Sequence, residues 1–175
     1  MTLTSVTRAH PNLVAQARLA TPLGDMTAAA TATGLAGLWF DGQAHHPGPL
    51  AAPVNPQQRW LRAAAKALKR YFAGEPNPLA GVALDLHGTP FQHAVWQALL
   101  TLPAGATGTY AQIATQAGSP AGMRAAGAAI GRNPVSVLVP CHRVLGSNGS
   151  LTGYAGGLDR KRALLRHEGL VVALT

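Results

Sequence analysis

Three helix-start signals in the second half of the chain constrain its fold more than any other feature. Residues 89–92 (Thr-Pro-Phe-Gln) place an N-cap threonine, a proline at the first helical position and a capping-box glutamine in order. Residues 109–112 repeat the capping box, and Ser-Pro at 119–120 is a third start. A short helix, a tight turn and a second helix form a helix-turn-helix pattern. We therefore expect helices from residue 90, over 110–116 and over 120–130.

The last of these helices is unusual because residues 125–129 are all alanine or glycine, with Arg124 at their head. Small side chains let a helix backbone approach another surface closely. If that surface is DNA, the helix could enter a groove and Arg124 could reach the base stack. The alternative is close helix packing inside the domain, which the residues of this helix alone favour.

The first half of the chain has the pattern of a small α/β unit. Apolar and polar residues alternate over 13–19, and 26–33 and 35–40 are two further strand candidates. Residues 57–72 carry apolar side chains at helical spacing, and 82–86 alternate like a short strand. The proline-rich stretch 42–56, which includes His45 and His46, is predicted to be a loop rather than a metal site.

The only cysteine, Cys141, excludes an internal disulfide and a multi-cysteine zinc site. It follows an apolar run at 135–139, which we predict to be a short strand, and it precedes His142. The thiolate is the reactive form of cysteine, and a neighbouring base can produce it. A buried structural cysteine is the commoner fate of a lone thiol. Spacing alone leaves open whether Glu168, after a predicted helix at 158–167, reaches His142.

The net charge of +8 fits a polyanionic partner, but solubility is an equally good explanation from charge alone. No stretch approaches the roughly 18 apolar residues of a membrane-spanning helix. Residues 1–20 lack the apolar core of a signal peptide. These features, with one unpaired thiol, predict a cytoplasmic protein that does not contact a membrane.

Residues 91–169 closely resemble the C-terminal domain of the O6-alkylguanine-DNA alkyltransferases. The matching segments are Phe91-Gln92, Val95-Trp96, Gly108-Thr109-Tyr110, Arg124-Ala125, Gly131 to Val135, Pro140-Cys141-His142-Arg143-Val144, Gly153 to Gly157, Lys161, and His167-Glu168-Gly169. The resemblance implies a two-domain α/β fold. An N-terminal α/β support domain of the ribonuclease H-like type would span 1–85, and a C-terminal winged helix-turn-helix domain would span 86–175.

The resemblance implies that Cys141 is the nucleophile and permanent alkyl acceptor, and it implies the following roles for four other residues. His142 takes the thiol proton through a water, and Glu168 holds and polarises His142. Asn133 ties the helix-turn-helix to the cysteine-bearing turn by hydrogen bonds. Tyr110 donates a proton toward the departing guanine.

The resemblance also implies a set of residues that bind DNA or the alkylated base. Arg124 fills the gap left by a flipped nucleotide, and the backbone of Val144 and Ala155 reads the guanine edge. The remaining members of this set are Ala125, Ile130, Ser136, Tyr154 and Lys161. Two positions depart from some relatives, because Ala155 replaces a serine and Ser136 replaces a proline that walls the pocket.

The implied function is repair of double-stranded DNA that carries O6-alkylguanine, or less readily O4-alkylthymine. A monomer would bind through the minor groove and transfer one alkyl group irreversibly, without a cofactor or a metal. The main alternative is an alkyltransferase-like protein that binds lesions without transfer, but such proteins replace the acceptor cysteine. A plain winged-helix module would leave the Pro-Cys-His-Arg-Val motif unexplained, and the run of small residues does not favour a cysteine hydrolase.

Overall fold

A computed structural model describes residues 12–171 of the chain. The first half contains three antiparallel strands, β1 (Ala15–Leu19), β2 (Met26–Ala30) and β3 (Leu35–Phe40), paired in that order. Strands were therefore correctly predicted in all three places. The second one ends earlier than residue 33, because the amide of Thr31 donates to the carbonyl of Gly34 at 2.9 Å and closes a turn.

The outer edge of β3 is covered by two segments that were predicted to be strands. Leu35 pairs with Leu84 in one isolated parallel bridge, and Leu38 pairs with Val135 in another. Neither 82–86 nor 135–139 is a strand, so both predictions are wrong. Each segment pairs with β3 through one residue only, and the chain turns directly after Val135, where the amide of Val139 donates to the carbonyl of Val135 at 3.0 Å. Together they bury β3 and leave it no exposed edge.

Helix α1 (Arg59–Phe72) packs on this sheet. The side chain of Gln58 caps it by accepting hydrogen bonds from the amides of Trp60 and Leu61. Its apolar face, as the 3.6-residue period requires, is buried, and its basic side chains lie mostly outside. The buried residues of α1 are Leu61, Ala64, Ala67, Leu68 and Tyr71.

The second half contains α2 (Pro90–Leu100), α3 (Tyr110–Gln116), α4 (Met123–Gly131) and α5 (Leu158–His167). Both predicted capping boxes form, at the start of α2 and at the start of α3. A short parallel pair, β4 (Gly108–Thr109) with β5 (Val144–Leu145), lies beside the helix-turn-helix of α3 and α4. The two-part α/β architecture is confirmed, and one continuous cluster of buried residues runs through both parts.

Helix α4 begins at Met123, not at Pro120 as the Ser-Pro signal predicted. The amide of Gly122 donates to the carbonyl of Ser119 at 2.8 Å, so these residues close a turn instead of a helical first turn. The small residues of α4 then divide between two faces. Ala126 and Ala129 are buried, and the indole of Trp96 donates to the carbonyl of Ala129 at 2.9 Å.

The other face of α4 is exposed, and it carries Arg124, Ala125 and Ala128. Close packing inside the domain is therefore confirmed for one face of α4, and the other face is free to contact a partner such as DNA, which stays a prediction. In the described part of the chain, no helix combines the length and the apolar character needed to cross a membrane.

Candidate active site

A single 3-10 turn, Cys141–Arg143, carries three adjacent functional side chains. Pro140 precedes it, and the amide of Arg143 donates to the carbonyl of Pro140 at 3.1 Å. Cys141 is 5% exposed and His142 is completely buried. The turn therefore holds a thiol and an imidazole in the interior, where their chemistry is set by protein neighbours and not by bulk water.

Asn133 fixes the segment that leads into this turn. Its side-chain amide donates to the carbonyl of Val139 at 2.8 Å and to that of Val135 at 3.3 Å. Its oxygen accepts from the amide of Val135 at 3.0 Å. Because Asn133 stands just beyond the end of α4, these bonds connect the helix-turn-helix with the turn that carries Cys141.

The structure shows that Glu168 reaches His142, which the sequence spacing left open. It caps the end of α5, its side chain is 2% exposed, and its Oε1 lies 2.7 Å from His142 Nε2. Arg143 donates to the same carboxylate through Nε at 2.9 Å and Nη2 at 2.8 Å. The hydroxyl of Tyr71, from α1, donates to Oε1 at 2.8 Å. Three side chains from two parts of the fold thus converge on one buried carboxylate.

The charge of this cluster resides on Glu168 and Arg143. Burial alone would raise the pKa of Glu168, but hydrogen bonds from His142 and Arg143 outweigh it and lower the pKa to about 2. Burial lowers the pKa of His142, and the neighbouring carboxylate opposes this only in part. His142 is therefore neutral near pH 7, and Arg143 is the cation that compensates Glu168.

The tautomer of His142 follows from its partner. A carboxylate oxygen can only accept, so Nε2 carries the hydrogen and Nδ1 carries the lone pair. Nδ1 is buried and has no hydrogen-bond partner within residues 12–171. The arrangement therefore presents a free basic nitrogen next to Cys141 in the chain.

Cys141 is a neutral thiol in the resting protein. Burial raises its pKa, and a hydrogen bond from Asn133 and the charge of Lys161 counteract this only partly. A buried thiol of this kind needs a base at the moment of reaction. His142 is the neutral base that stands closest to it in sequence.

Cys141 lines a cavity of about 240 Å³. The predicted residues that the structure brings to this cavity are Cys141, Tyr110, Ile130, Tyr154 and Ala155. Tyr110 donates its hydroxyl to the carbonyl of Thr152 at 2.9 Å. Burial raises the pKa of Tyr154, so this phenol stays neutral.

An apolar groove of about 400 Å³ is also lined by Tyr110. Arg124 and Met123 from α4, and Thr152 from the loop before α5, line it too. Ala125 is exposed on the same helix. Tyr110 thus belongs both to the cavity that contains the thiol and to the surface that contains Arg124.

Besides Arg124 and Ala125, three residues predicted to bind substrate or DNA do not line the cavity. Ser136 is buried and donates its hydroxyl to Gln43 Oε1 at 3.1 Å. The carbonyl of Val144 accepts a hydrogen bond from Lys161 Nζ at 2.6 Å. Lys161 itself is completely buried, so its ammonium is not presented to a DNA phosphate.

Lys161 instead connects β5 with the loop that precedes α5. Besides Val144, its Nζ donates to the carbonyls of Thr152 at 3.0 Å and Gly153 at 3.1 Å. Burial lowers the pKa of Lys161 to about 8, and these three acceptors offset the cost of burying the ammonium. Gly153 lines the cavity, so Lys161 supports the cavity wall from behind the reactive groups.

We expect Lys161→Met to lower the free energy of unfolding by about 2–4 kcal/mol, because it removes the three hydrogen bonds that the buried ammonium donates to backbone carbonyls. Urea unfolding measures this loss. The slope of DNA affinity against salt should be unchanged, whereas loss of a phosphate contact would lower it by about 1. Arg166→Met, on the exposed side of the same helix, is the matched control and should leave stability within about 0.5 kcal/mol. A changed salt slope with unchanged stability would contradict this role.

Three residues of the site, all from the first half of the chain, were missed at the level of sequence. Tyr71 has the spacing of a core residue in α1, and nothing near it in sequence signals its bond to Glu168, 97 positions away. His45 and Ala44, from the loop after β3, line the cavity beside Cys141. His45 was assigned to a loop, which is correct, but its part in the cavity had no sequence signal. No three metal-ligating side chains cluster within residues 12–171.

Comparisons with known proteins give a consistent result. The family described as "6-O-methylguanine DNA methyltransferase, ribonuclease-like domain" matches residues 15–86, and "6-O-methylguanine DNA methyltransferase, DNA binding domain" matches residues 90–170. The methylated-DNA–protein-cysteine methyltransferase of Mycobacterium bovis is 46% identical over 147 residues, 84% of this chain and 87% of that protein. The protein of the same name from Salmonella typhimurium is 53% identical over 105 residues, 60% of this chain and 61% of that protein.

Solved structures agree with these matches. A crystal structure of Mycobacterium tuberculosis OGT in complex with DNA has a TM-score of 0.79 and 42% identity, and the match covers 89% of this chain and 92% of that chain.

Proposed function

The chain belongs to the 6-O-methylguanine DNA methyltransferase family, and from that premise we propose that it repairs DNA by transferring the alkyl group of O6-alkylguanine to Cys141. The observation that carries the proposal is the buried thiol in the cavity wall, followed in the chain by a histidine whose Nε2 is held by Glu168. This arrangement supplies an acceptor, a base and a group that orients the base.

In the proposed reaction, the thiol proton passes to His142 Nδ1, directly or through water, and Glu168 stabilises the imidazolium that results. The sulfur attacks the alkyl carbon as the bond between that carbon and O6 breaks. The electron pair of the broken bond stays with the purine, which takes up a proton and leaves as guanine. Tyr110, in the cavity wall, is the proposed donor toward the purine.

The product of this reaction is a thioether on Cys141. A thioether carries no activated bond that water could cleave, unlike the acyl thioester of a cysteine hydrolase. No second cysteine stands elsewhere in the chain to accept the group. We therefore propose a single transfer for each protein molecule.

The target base must leave the duplex before the thiol can reach it, because O6 is inaccessible inside the base stack. We propose that α4 contacts the DNA minor groove with its exposed small face. Arg124, exposed at the first turn of α4, would fill the space that the base leaves. The net charge of +8 supports a duplex partner whose affinity falls steeply with salt.

Arg124→Ala should slow repair in a duplex by about 10- to 100-fold, since each 1.4 kcal/mol of lost support for the flipped state costs a factor of about ten. Transfer from free O6-benzylguanine needs no flipping and should fall less than about twofold. Single-turnover rates with both substrates measure the difference. Arg132→Ala removes an exposed guanidinium at the other end of the same helix and serves as the charge control. Equal losses on both substrates would contradict the role in flipping.

The proposed function is tested by mixing the protein with an equimolar duplex that contains one O6-methylguanine and measuring its intact mass. We expect one added methyl group per molecule, located by peptide mapping on the peptide that contains Cys141. An unmodified protein that still binds the lesion tightly would instead support the alkyltransferase-like binding function. Neither binding nor transfer would overturn both.

We also propose that residues 1–85 and 86–175 form separate structural domains and that the protein acts as a monomer. A cytoplasmic location is part of the proposal, because a reactive unpaired thiol persists in a reducing compartment.

A further inference from the structure

The cavity that contains Cys141 is not built by the second half of the chain alone. Eight of its ten lining residues lie between Tyr110 and Ala155, but the other two are Ala44 and His45, from the loop after β3. The loop is attached to the opposite wall, because the amide of Ala44 donates to the carbonyl of Ala155 at 2.9 Å. The first domain therefore contributes directly to the substrate cavity.

The residues on both sides of His45 are anchored. Gln43 is buried, and its Oε1 accepts from the amide of Phe40 at 2.8 Å and from the hydroxyl of Ser136 at 3.1 Å. On the other side, the His46 ring accepts from the amide of Gly48 at 3.0 Å and lies 3.4 Å from the hydroxyl of Thr27. The backbone at His45 is consequently fixed between two points.

His45 itself adopts a backbone conformation that costs energy. Its φ is +60°, in the left-handed region that non-glycine residues seldom occupy. Such strain persists where the surroundings impose it, and it is concentrated at functional sites. Here the anchored neighbours impose this backbone conformation on His45. The imidazole of His45 is exposed at the cavity wall.

The chemistry of this ring suits contact with an apolar group. Partial burial, with a smaller contribution from Arg132, lowers the pKa of His45, so the ring is uncharged near pH 7. A neutral ring can pack against a base or an alkyl group without the cost of desolvating a charge. The cavity, at about 240 Å³, is smaller than the ~300–1,000 Å³ of most small-molecule sites, so one ring at its wall matters.

We propose that His45 is a specificity-determining residue, which limits the size of the alkyl group that can reach Cys141. This inference rests on the proposed function, since it concerns the substrate of the same site. Methyl groups fit beside the ring, and a bulky aromatic adduct such as benzyl competes with it for space. Ser136, which the family resemblance assigned to the pocket, contributes indirectly, because its hydroxyl holds Gln43, two residues before His45.

The test compares single-turnover rates on duplexes that carry either O6-methylguanine or O6-benzylguanine. We expect His45→Ala to raise the ratio of the benzyl rate to the methyl rate at least threefold, and His45→Trp to lower it at least threefold. Pro49→Ala changes an exposed residue of the same loop that does not line the cavity, and it should leave the ratio within twofold. Because each variant is compared with itself on two substrates, loss of folded protein cancels.

Several outcomes would overturn the inference. A ratio in His45→Ala that falls, or that rises less than threefold, would remove His45 as a limit on adduct size. An equal change in Pro49→Ala would assign the effect to the loop as a whole. Absence of methyl transfer by the unsubstituted protein would overturn the proposed function and this inference with it, so the two failures are distinguishable.

Discussion

Substituting Cys141 by serine is expected to lower the rate of alkyl transfer by at least about 10³-fold, the largest effect of any single change in this protein. A hydroxyl is far less acidic than a thiol and is a weaker nucleophile toward an alkyl carbon. The substitution is nearly isosteric, so the buried turn that holds His142 against Glu168 should persist. Rapid-quench transfer from a methylated duplex measures the loss.

The same variant separates reaction from recognition. No part of the proposed contact with DNA depends on the sulfur, so Cys141→Ser should bind a lesion-containing duplex within about threefold of the unsubstituted protein. Cys141→Ala is the second control, because it removes the side-chain heteroatom altogether. Transfer that survives in either variant would exclude Cys141 as the acceptor.

The single cysteine also allows an independent count. Cys141 is the only thiol in the chain, so titration with a thiol reagent under denaturing conditions should find one thiol before reaction and none after it. The lost thiol should equal the methyl groups removed from DNA. A thiol count that stays at one while DNA loses its methyl groups would mean that another residue or water accepts them.

The sequence was a good guide where a structural signal is local. The capping boxes at Thr89 and Thr109 predicted the starts of α2 and α3, because a cap is formed by residues three positions apart. The Ser-Pro signal at 119–120 failed because the same residues also suit a turn, which the following Gly122 completes. Local chemistry at that point permits both conformations, and the packing of α4 selects one.

The sequence was a poor guide where a contact joins distant parts of the chain. The hydroxyl of Tyr71 is a partner of Glu168 only because α1 and the end of α5 meet at the core. Lys161 has the spacing of a solvent-exposed basic residue, yet it is buried because three carbonyls converge on it. A long polar side chain in a helix does not reveal which of these environments it will find.

The second large effect is expected at Glu168. Glu168→Gln should lower the free energy of unfolding at pH 7 by about 3–5 kcal/mol, because it leaves the nearly buried guanidinium of Arg143 without a counter-charge. The amide nitrogen of glutamine would also be a hydrogen-bond donor facing the donors of Tyr71, His142 and Arg143, none of which could bond to it. Tyr71→Phe removes one hydrogen bond and keeps the carboxylate, so it should cost only about 1 kcal/mol.

This loss should depend on pH in a defined direction. The pKa of Glu168 is lowered to about 2 in the folded protein, so its stabilising charge is fully present above the ordinary carboxyl pKa and is lost as pH falls toward 2. The stability difference between the unsubstituted protein and Glu168→Gln should therefore shrink by about 2 kcal/mol between pH 7 and pH 3. Urea unfolding at several pH values measures it, and a constant difference would exclude the ionised carboxylate as its source.

The rate of alkyl transfer by Glu168→Gln should also fall, for a reason separate from the loss of stability. The glutamine amide can donate to Nε2 of His142, which would move the imidazole hydrogen to Nδ1 and remove the free base. We expect transfer by folded Glu168→Gln to be at least about 10²-fold slower, while Tyr71→Phe stays within about tenfold. Full activity in folded Glu168→Gln would mean that His142 needs no carboxylate to accept the thiol proton. The buried carboxylate would then serve only to neutralise Arg143, and the turn at Cys141 would owe its reactivity to some other group.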